Sequence, residues 1–316
     1  MISGNDRGFL SIPNGWFAVA WSKDLAVGDV QRIRYFDREL ALFRTRTGQA
    51  KVLDAYCAHL GAHLAEGGRV VGEAIQCPFH HWQYDGSGQC IHIPYAKRIP
   101  PKACVRAWEV VERNEMILVW HHAQGKPPQF EVPALPEFGH PDWAPTRYFD
   151  LKVAVQLQDM AENNCDPVHF MYVHTMTSIP DSEIHFSNNG CFMHMTDEAE
   201  RTSPLGTFRT KLLRDSFGIG MATVRVDGIP NAGLLMLAGT TPIDRGHTHS
   251  RWAFTVTKNL ADTAGEEFID SLSKGVMADV RIWENKIYRA NPVLCDGDVF
   301  LGKFRQWARQ FYSEAS

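Results

Sequence analysis

Cys57-Ala-His59 and, after 17 intervening residues, Cys77-Pro-Phe-His80 each place one thiol and one imidazole on a short stretch of chain. Two such loops present four metal ligands of mixed softness. A tetrahedral zinc site takes a Cys2His2 set, and a [2Fe–2S] cluster can take two thiolates on one iron and two imidazoles on the other. Zinc fingers pair Cys with Cys and His with His along the chain. Here each loop gives one of each, as a two-iron cluster needs when two loops straddle it. Imidazole in place of thiolate lowers the negative charge of such a cluster and raises its potential. Exposed ring edges on His59 and His80 could also hydrogen-bond across an interface and hand an electron onward. The adjacent His63 and His81 read as surface residues or as groups behind the ligands.

A second constellation starts at Asp159, where Asp159, Glu162, Asp166 and His169 follow at steps of three or four and would form one polar stripe on a helix. A solvated face accounts for the acids. It does not account for His169-Phe-Met-Tyr-Val-His174 in an apolar setting, or for Pro167, which interrupts the helix ladder just before the first imidazole. A step of five residues turns about 140° on an ideal helix, so the second imidazole must come off a turn or a distorted helix end. This spacing resembles the DxxHxxxxH segment of non-haem iron oxygenases, where it supplies two facial ligands.

A facial triad needs one further carboxylate and leaves positions open for O2 and substrate. The amphipathic stretch 264–289 offers Glu266, Glu267, Asp270, Asp279 and Glu284. At about 100° per residue, Ile269, Leu272, Val276, Trp283 and Ile287 share one apolar stripe with Asp279 in its middle. Glu266, Asp270 and Glu284 fall to the side or behind. A carboxylate that faces a core is costly unless it pairs or binds a cation, so Asp279 is the acid that a metal explains. A buried salt bridge is the competing account.

The elements around these residues change character along the chain. Residues 14–122 carry short β-runs (WFAVAW, RIRYF, LALFR, AKVLDAY, RVV, MILVW) and a turn at Asp85-Gly86-Ser87-Gly88. Residues 125–145 hold six prolines in 21 positions, which suits an extended linker. Beyond it come a strand near 147–157, a helical stretch near 158–171, β-runs to about 257 and the long helix. The apolar run from Gly233 to Ala238 reads as a core strand.

With 316 residues, 44% of them hydrophobic and 22% charged, the chain is long enough for one large domain or two ordinary ones. A net charge of −4 gives no positive field for nucleic acid. No apolar run approaches the roughly 20 residues of a membrane span, and the N-terminal stretch lacks the pattern of a signal peptide. A cytoplasmic protein is expected. Seven cysteines, an odd number widely spread, fit metal binding better than a disulfide scaffold. No GxGxxG or Walker loop is present, so electrons or phosphates from a dinucleotide have no site of their own here.

Segment by segment, the chain resembles the Rieske non-haem iron oxygenases. CAHLGAHL and CPFHHWQYDGSGQC are similar to the two cluster-binding boxes of Rieske proteins, the second in the CPFH-x-W form of ring-hydroxylating and steroid oxygenases. Respiratory Rieske proteins carry an extra, disulfide-forming Cys in each box; Ala62 and Phe79 stand there in this chain, which points to the low-potential type. VLDAYCAHLGAHL, CPFHHWQYDGSGQC, IPYAKRIP, CDPVHFMYVH, DVRIWENK and RQWARQFY look most like the oxygenase component of 3-ketosteroid 9α-hydroxylases and the related sterol desaturases.

The resemblance implies an α+β chain with an N-terminal all-β Rieske domain (1–124), a Pro-rich linker (125–145) and a C-terminal helix-grip catalytic domain (146–316), an antiparallel sheet with a long helix. It implies one [2Fe–2S] cluster on Cys57, His59, Cys77 and His80, and one mononuclear Fe(II) on His169, His174 and Asp279. Asp166 matches the acid that links the cluster of a neighbouring subunit to this iron, so a head-to-tail homotrimer follows, together with a separate NAD(P)H-dependent reductase acting directly or through a ferredoxin. The implied activity is a monooxygenase that uses O2 to hydroxylate or desaturate a hydrophobic, steroid-like small molecule. A Rieske oxygenase acting on an aromatic ring or as an O-demethylase is the nearest alternative. A Rieske electron-transfer protein without the second iron, and a structural zinc module, stand further off.

Overall fold

A computed structural model describes residues 8–313 except 175, 177, 204 and 205; the side chains of residues 201–203 and 265–271 also lie outside the described residues. Among the latter are Glu266, Glu267, Ile269 and Asp270. The chain divides into two compact units, one formed by Trp16–His121 and the other by Met1–Gly15 with His122–Ser316.

The first unit is all β. Its strands are β1 (Gly15–Trp21), β2 (Val30–Tyr35), β3 (Arg38–Arg44), β4 (Ala50–Asp54), β5 (Arg69–Val71), β6 (Ala74–Gln76), β7 (Gln83–Tyr84), β8 (Cys90–His92), β9 (Val110–Arg113) and β10 (Met116–His121). They form three antiparallel sheets in the orders β1-β10-β9, β2-β3-β4 and β5-β6-β7-β8. Runs without polar alternation, such as Leu40–Phe43 in β3 and Met116–Val119 in β10, are buried on both faces. The Asp85 carboxylate folds its turn by accepting from Ser87 N at 2.9 Å and Gln89 N at 3.1 Å. Gly88 at φ +82° is required there, because a Cβ would stand 2.0 Å from the Val105 carbonyl oxygen.

The second unit is built on a seven-stranded antiparallel sheet. Its strands are β11 (Arg147–Val153), β12 (Asp181–Ser187), β13 (Phe192–Ser203), β14 (Gly206–Phe217), β15 (Met221–Asp227), β16 (Leu234–Pro242) and β17 (Thr248–Val256), in the order β11-β17-β16-β15-β14-β13-β12. After two short helices, α1 (Leu157–Ala161) and α2 (Pro167–Tyr172), the long helix α3 (Lys258–Asn285) lays Leu272, Val276, Val280 and Trp283 on Phe149, Leu151, Val153, Trp252 and Phe254 of the sheet. Sheet and helix give the α+β, helix-on-antiparallel-sheet class expected of the catalytic half.

The helical stretch expected near 158–171 is broken into α1 (Leu157–Ala161), a 3-10 turn (Glu162–Cys165) and α2 (Pro167–Tyr172). Proline disfavours helical geometry in the residue before it, and Asp166 is extended at φ −110°, ψ 95°. A last helix, α4, spans Val299–Ala308.

Two segments pack differently from expectation. The start of the chain joins the second unit, with Leu10 N donating to Gln156 Oε1 at 3.0 Å and Asn14 N to Phe311 O at 2.6 Å. The proline-rich stretch is no free linker: Phe130, Val132 and Leu135 are buried, and Glu137 meets Arg225 at 2.5 Å. Apolar residues between the prolines give that extended chain enough surface to dock. The run 233–238 splits, with Leu234, Leu235 and Leu237 in the core and Met236 and Ala238 lining a cavity.

Candidate functional site: two metal-ligand sets

The two Cys–His loops are conformational copies. In the first, Cys57 N donates to Ala62 O at 2.9 Å and Gly61 N to Cys57 O at 3.0 Å; in the second, Cys77 N donates to Trp82 O at 2.8 Å and His81 N to Cys77 O at 3.2 Å. Both turn through a left-handed residue at the same place, Gly61 at φ +73° and His81 at φ +59°. Each closes a hairpin, the first above the Tyr56–His63 bridge and the second above the Gln76–Gln83 pair of β6 and β7. The hairpins bury the sulfurs of Cys57 and Cys77, whereas His59 and His80 are half-buried and Leu60 and Phe79 beside them are exposed. The rings of His59 and His80 lie 4.6 Å apart, and His59 stacks on Trp82 at 4.6 Å.

Burial pushes the Cys77 thiol up, opposed by the amides of Phe79 and His80 that aim at its sulfur. A metal reverses that preference by binding thiolate. The Tyr84 hydroxyl sits 3.1 Å from the Cys57 sulfur and accepts from Ala58 N at 3.2 Å. Burial and then the Cys57 sulfur hold this phenol well above its ordinary pKa, so it remains a donor toward a thiolate. Of the nearby histidines, His63 accepts from Ala65 N through Nδ1 at 3.1 Å and faces Glu39 at 3.6 Å, while His81 is exposed.

In the second unit, α2 ends at Tyr172 and His174 falls in the bend beyond it, where the Val173 N to His169 O bond of 2.7 Å and the Met176 N to Phe170 O bond of 3.1 Å turn the chain back. Asp166 caps α2: its Oδ1 accepts from Val168 N at 3.0 Å and His169 N at 3.2 Å. Nδ1 of His169 meets the backbone carbonyl oxygen of Asp166, which can only accept. Nδ1 therefore carries the proton and Nε2 keeps its lone pair. Burial holds the His169 imidazole below its ordinary pKa, and so neutral.

Asp279 of α3 arrives opposite, its Oδ2 3.3 Å from His174 Nε2. The ligand atoms of His169, His174 and Asp279 lie within 4.8 Å of one another; among the described residues no other group of three or more such atoms does. The Cys–His loops thus surround a wider space, which suits two irons better than one tetrahedral zinc with bonds of about 2.0–2.3 Å. Asp279 is 7% exposed, and its Oδ1 has no hydrogen-bond partner. An unsatisfied oxygen on a buried carboxylate, beside two imidazoles, fits a bound cation.

The three side chains open onto a cavity of about 360 Å³. Its walls are mainly apolar, with Met160, Met221, Met236, Val224 and Val276 among them. Three ion pairs hold the frame. Arg214 reaches Asp197 at 2.7 Å, with its guanidinium 4.9 Å over the ring of Phe170. Lys286 and Arg305 clasp Asp159 at 2.9 Å and Glu162 at 2.8 Å, tying α1 and the 3-10 turn to the end of α3 and to α4. Asp159 and Glu162 are thus buried and paired, not part of a solvated stripe. Glu284 is exposed, away from the cavity. Cys165, beside Asp166, is buried against Met193 and its thiol is pushed up to about 12 by desolvation, so it is inert packing.

Sequence reasoning missed Arg214, Asp197 and the indoles of Trp252 and Trp283. Trp283 was visible only as one more apolar residue of the α3 stripe. The Arg214–Asp197 pair has no local signal, because β13 and β14 bring the two together over 17 residues.

A β unit presenting two matched Cys–His loops, with a sheet-and-helix unit that gathers two histidines and one aspartate on a cavity, defines a Rieske-type oxygenase. Residues 15–109 match the Rieske [2Fe-2S] domain family and residues 119–312 the 3-Ketosteroid 9alpha-hydroxylase C-terminal domain family. The chain belongs to this family of Rieske oxygenases. It is 30% identical to cholesterol 7-desaturase nvd 1 of Ciona intestinalis, over 96% of this chain and 69% of that one. It is 29% identical to the 3-ketosteroid-9-alpha-monooxygenase oxygenase component of Mycobacterium tuberculosis, over 96% and 82%. Among solved structures, the NdmA QL mutant of Pseudomonas putida CBB5 with caffeine shares the fold at a TM-score of 0.76 and 21% identity, covering 96% of this chain and 90% of that one. Dicamba monooxygenase bound to dicamba does so at 0.74 and 19%, covering 95% and 97%.

The protein is thus an oxidoreductase, the terminal oxygenase component of a Rieske monooxygenase system, with a [2Fe–2S] cluster, a non-haem iron and O2 as cosubstrate. Its electrons come from a separate reductase. Among the described residues no helix is long and apolar enough to cross a membrane.

Proposed function

We propose that this oxygenase acts on a neutral, steroid-like skeleton, oxidising an unactivated C–H bond by hydroxylation or desaturation. In this reading Cys57, His59, Cys77 and His80 hold the cluster, and His169, His174 and Asp279 hold the iron. The observation that carries it is the meeting of those three side chains at the wall of a cavity lined mainly by aliphatic and aromatic residues, with the orphaned Asp279 oxygen among them. When bound, iron on such a facial set supplies O2 activation with electrons from the cluster. The chain's own residues do the rest. The Asp166 carbonyl fixes the His169 tautomer, and the Arg214–Asp197 pair holds Phe170 beside the two histidines. The apolar walls exclude water and orient a hydrophobic substrate. The Tyr84 hydroxyl offers a hydrogen bond to the Cys57 sulfur, which favours the more negative, reduced state of a cluster.

The same reading takes a head-to-tail homotrimer, in which His59 or His80 of one copy approaches Asp166 of the next. Two features support it. Leu60 and Phe79 stand exposed beside the histidines, and Tyr172, 74% exposed, stands on the helix that Asp166 caps. The reductase is taken as NAD(P)H-dependent, acting directly or through a ferredoxin. A cytoplasmic location agrees with seven unpaired cysteines, two of them exposed. Purified protein given NADH, a surrogate reductase and parallel panels of steroids and arenes tests the activity, with products read by mass. Oxygenated or desaturated steroid is expected; turnover of arenes with steroids untouched overturns the substrate reading.

A further inference from the structure

Two tryptophans of the cavity wall carry an indole N–H with no acceptor among the described residues. Trp283 and Trp252 both line the cavity, and the Nε1 of each is buried without a hydrogen-bond partner. Trp283 is the more enclosed, 4% exposed. It stands four residues after Asp279 on α3, so the two side chains share one face, about one helical turn or 6 Å apart along the axis. It belongs to one buried apolar cluster with Val153, Val155, Met160, Phe254 and Val276. A buried N–H with no acceptor is destabilising. Shape alone would be met by Phe at lower cost, so the indole nitrogen is what needs explaining.

We propose that the Trp283 indole N–H is a substrate-recognition donor: it hydrogen-bonds an oxygen, carbonyl or hydroxyl, carried by an otherwise apolar substrate. The proposal deepens the steroid-like reading and rests on it for the choice of skeleton. It defines the ligand as a hydrophobic body with an acceptor oxygen set to one side of the attacked carbon, and it makes Trp283 a specificity-determining residue. A neutral acceptor fits better than an anion here, because the cavity's one fully buried cation among the described residues, Arg214, is already paired with Asp197. Such a site rejects the analogue that lacks the oxygen, which would leave the indole N–H dry and unpaired.

The test is equilibrium dialysis without reductase or O2, so that no turnover occurs, on iron-loaded wild type, Trp283→Phe and Trp252→Phe. The probes are 5α-androstane, 5α-androstan-3-one, 5α-androstan-17-one and 5α-androstane-3,17-dione. Retained cluster absorption and iron content certify that each variant is folded. For at least one ketone, Trp283→Phe is expected to weaken binding about tenfold more than it weakens androstane. Taking the ratio removes differences in ligand hydration and in packing. An equal loss for all four probes, or none, overturns the proposal by leaving the indole a packing group or a partner of water. So does a ketone-selective loss confined to Trp252→Phe. Should the steroids fail to bind while 1-tetralone and tetralin do, the steroid reading falls, and the same ratio on that pair decides the role of the indole.

Discussion

Asp279 concentrates the chemistry of the second unit in one side chain. Its Oδ1 is buried and unpaired, and its Oδ2 faces His174 at 3.3 Å, an arrangement that a cation relieves and an apolar core does not. Asp279→Ala is therefore expected to take the iron content from about three atoms per chain to about two, leaving the [2Fe–2S] absorption unchanged. Metal analysis beside the visible spectrum checks it. Loss of both signals would show that the residue holds the fold rather than the metal.

The pH response is argued from the same kind of balance. Burial holds His249 below its ordinary value near 6.5; Asp150 opposes this through a hydrogen bond at 3.2 Å, and Arg251 reinforces it. His122 is lowered as well, again first by burial. A group with a depressed folded-state pKa stays neutral where the unfolded chain takes up a proton. Stability is then complete above the unfolded value and falls as pH drops through about 6.5 toward the folded value. Denaturant midpoints should decline between pH 7.5 and 5.5, and less steeply in His249→Gln. The Asp279 position was legible in the sequence because one acid interrupts an otherwise apolar stripe. The burial of Asp159 and Glu162 was not, since Lys286 and Arg305, their partners, are more than 120 residues away.

At the scale of elements, the helix pair around Pro167 and the long α3 set the site. The sequence carried the break, through a proline and an i, i+5 spacing that no regular helix can serve on one face. It also carried the paired Cys–His loops. It did not carry their equivalence as six-residue hairpin loops, because the left-handed turn falls on a glycine in one and on His81 in the other. In α3, Gly275 lines the cavity, and a Cβ there would meet no atom within 4 Å. Glycine inside a helix is less favourable than alanine by about 0.8–1.0 kcal/mol. Gly275→Ala is expected to raise stability by about that amount, read as a higher thermal midpoint. Gly275→Leu should crowd the cavity and weaken binding of the larger ligands.

For the whole molecule, the proposed route of electrons between copies makes a sharp prediction. Cys57→Ser alone is expected to lack the cluster and Asp279→Ala alone the iron, so each is expected to be inactive by itself. Co-expressed so that mixed oligomers form, they should recover a substantial share of turnover, because the intact cluster of one copy serves the intact iron of its neighbour. No recovery in verified mixed oligomers would place the transfer within one chain.

Composition, residue types and their spacing marked out, before any folding, two unlike sets of candidate metal ligands and a β-rich half ahead of a mixed one. Those features are local: a proline, a turn, a step of three or five residues is readable wherever it stands. Tertiary structure alone decided what the second set opens onto. The cavity wall draws Trp252 from a strand and Trp283 from a helix, Arg214 finds Asp197 across a strand pair, and the proline-rich segment is drawn down by its apolar residues. Burial and partnership are properties of three-dimensional neighbours, and whether an indole N–H is satisfied or left for a ligand depends on those neighbours alone.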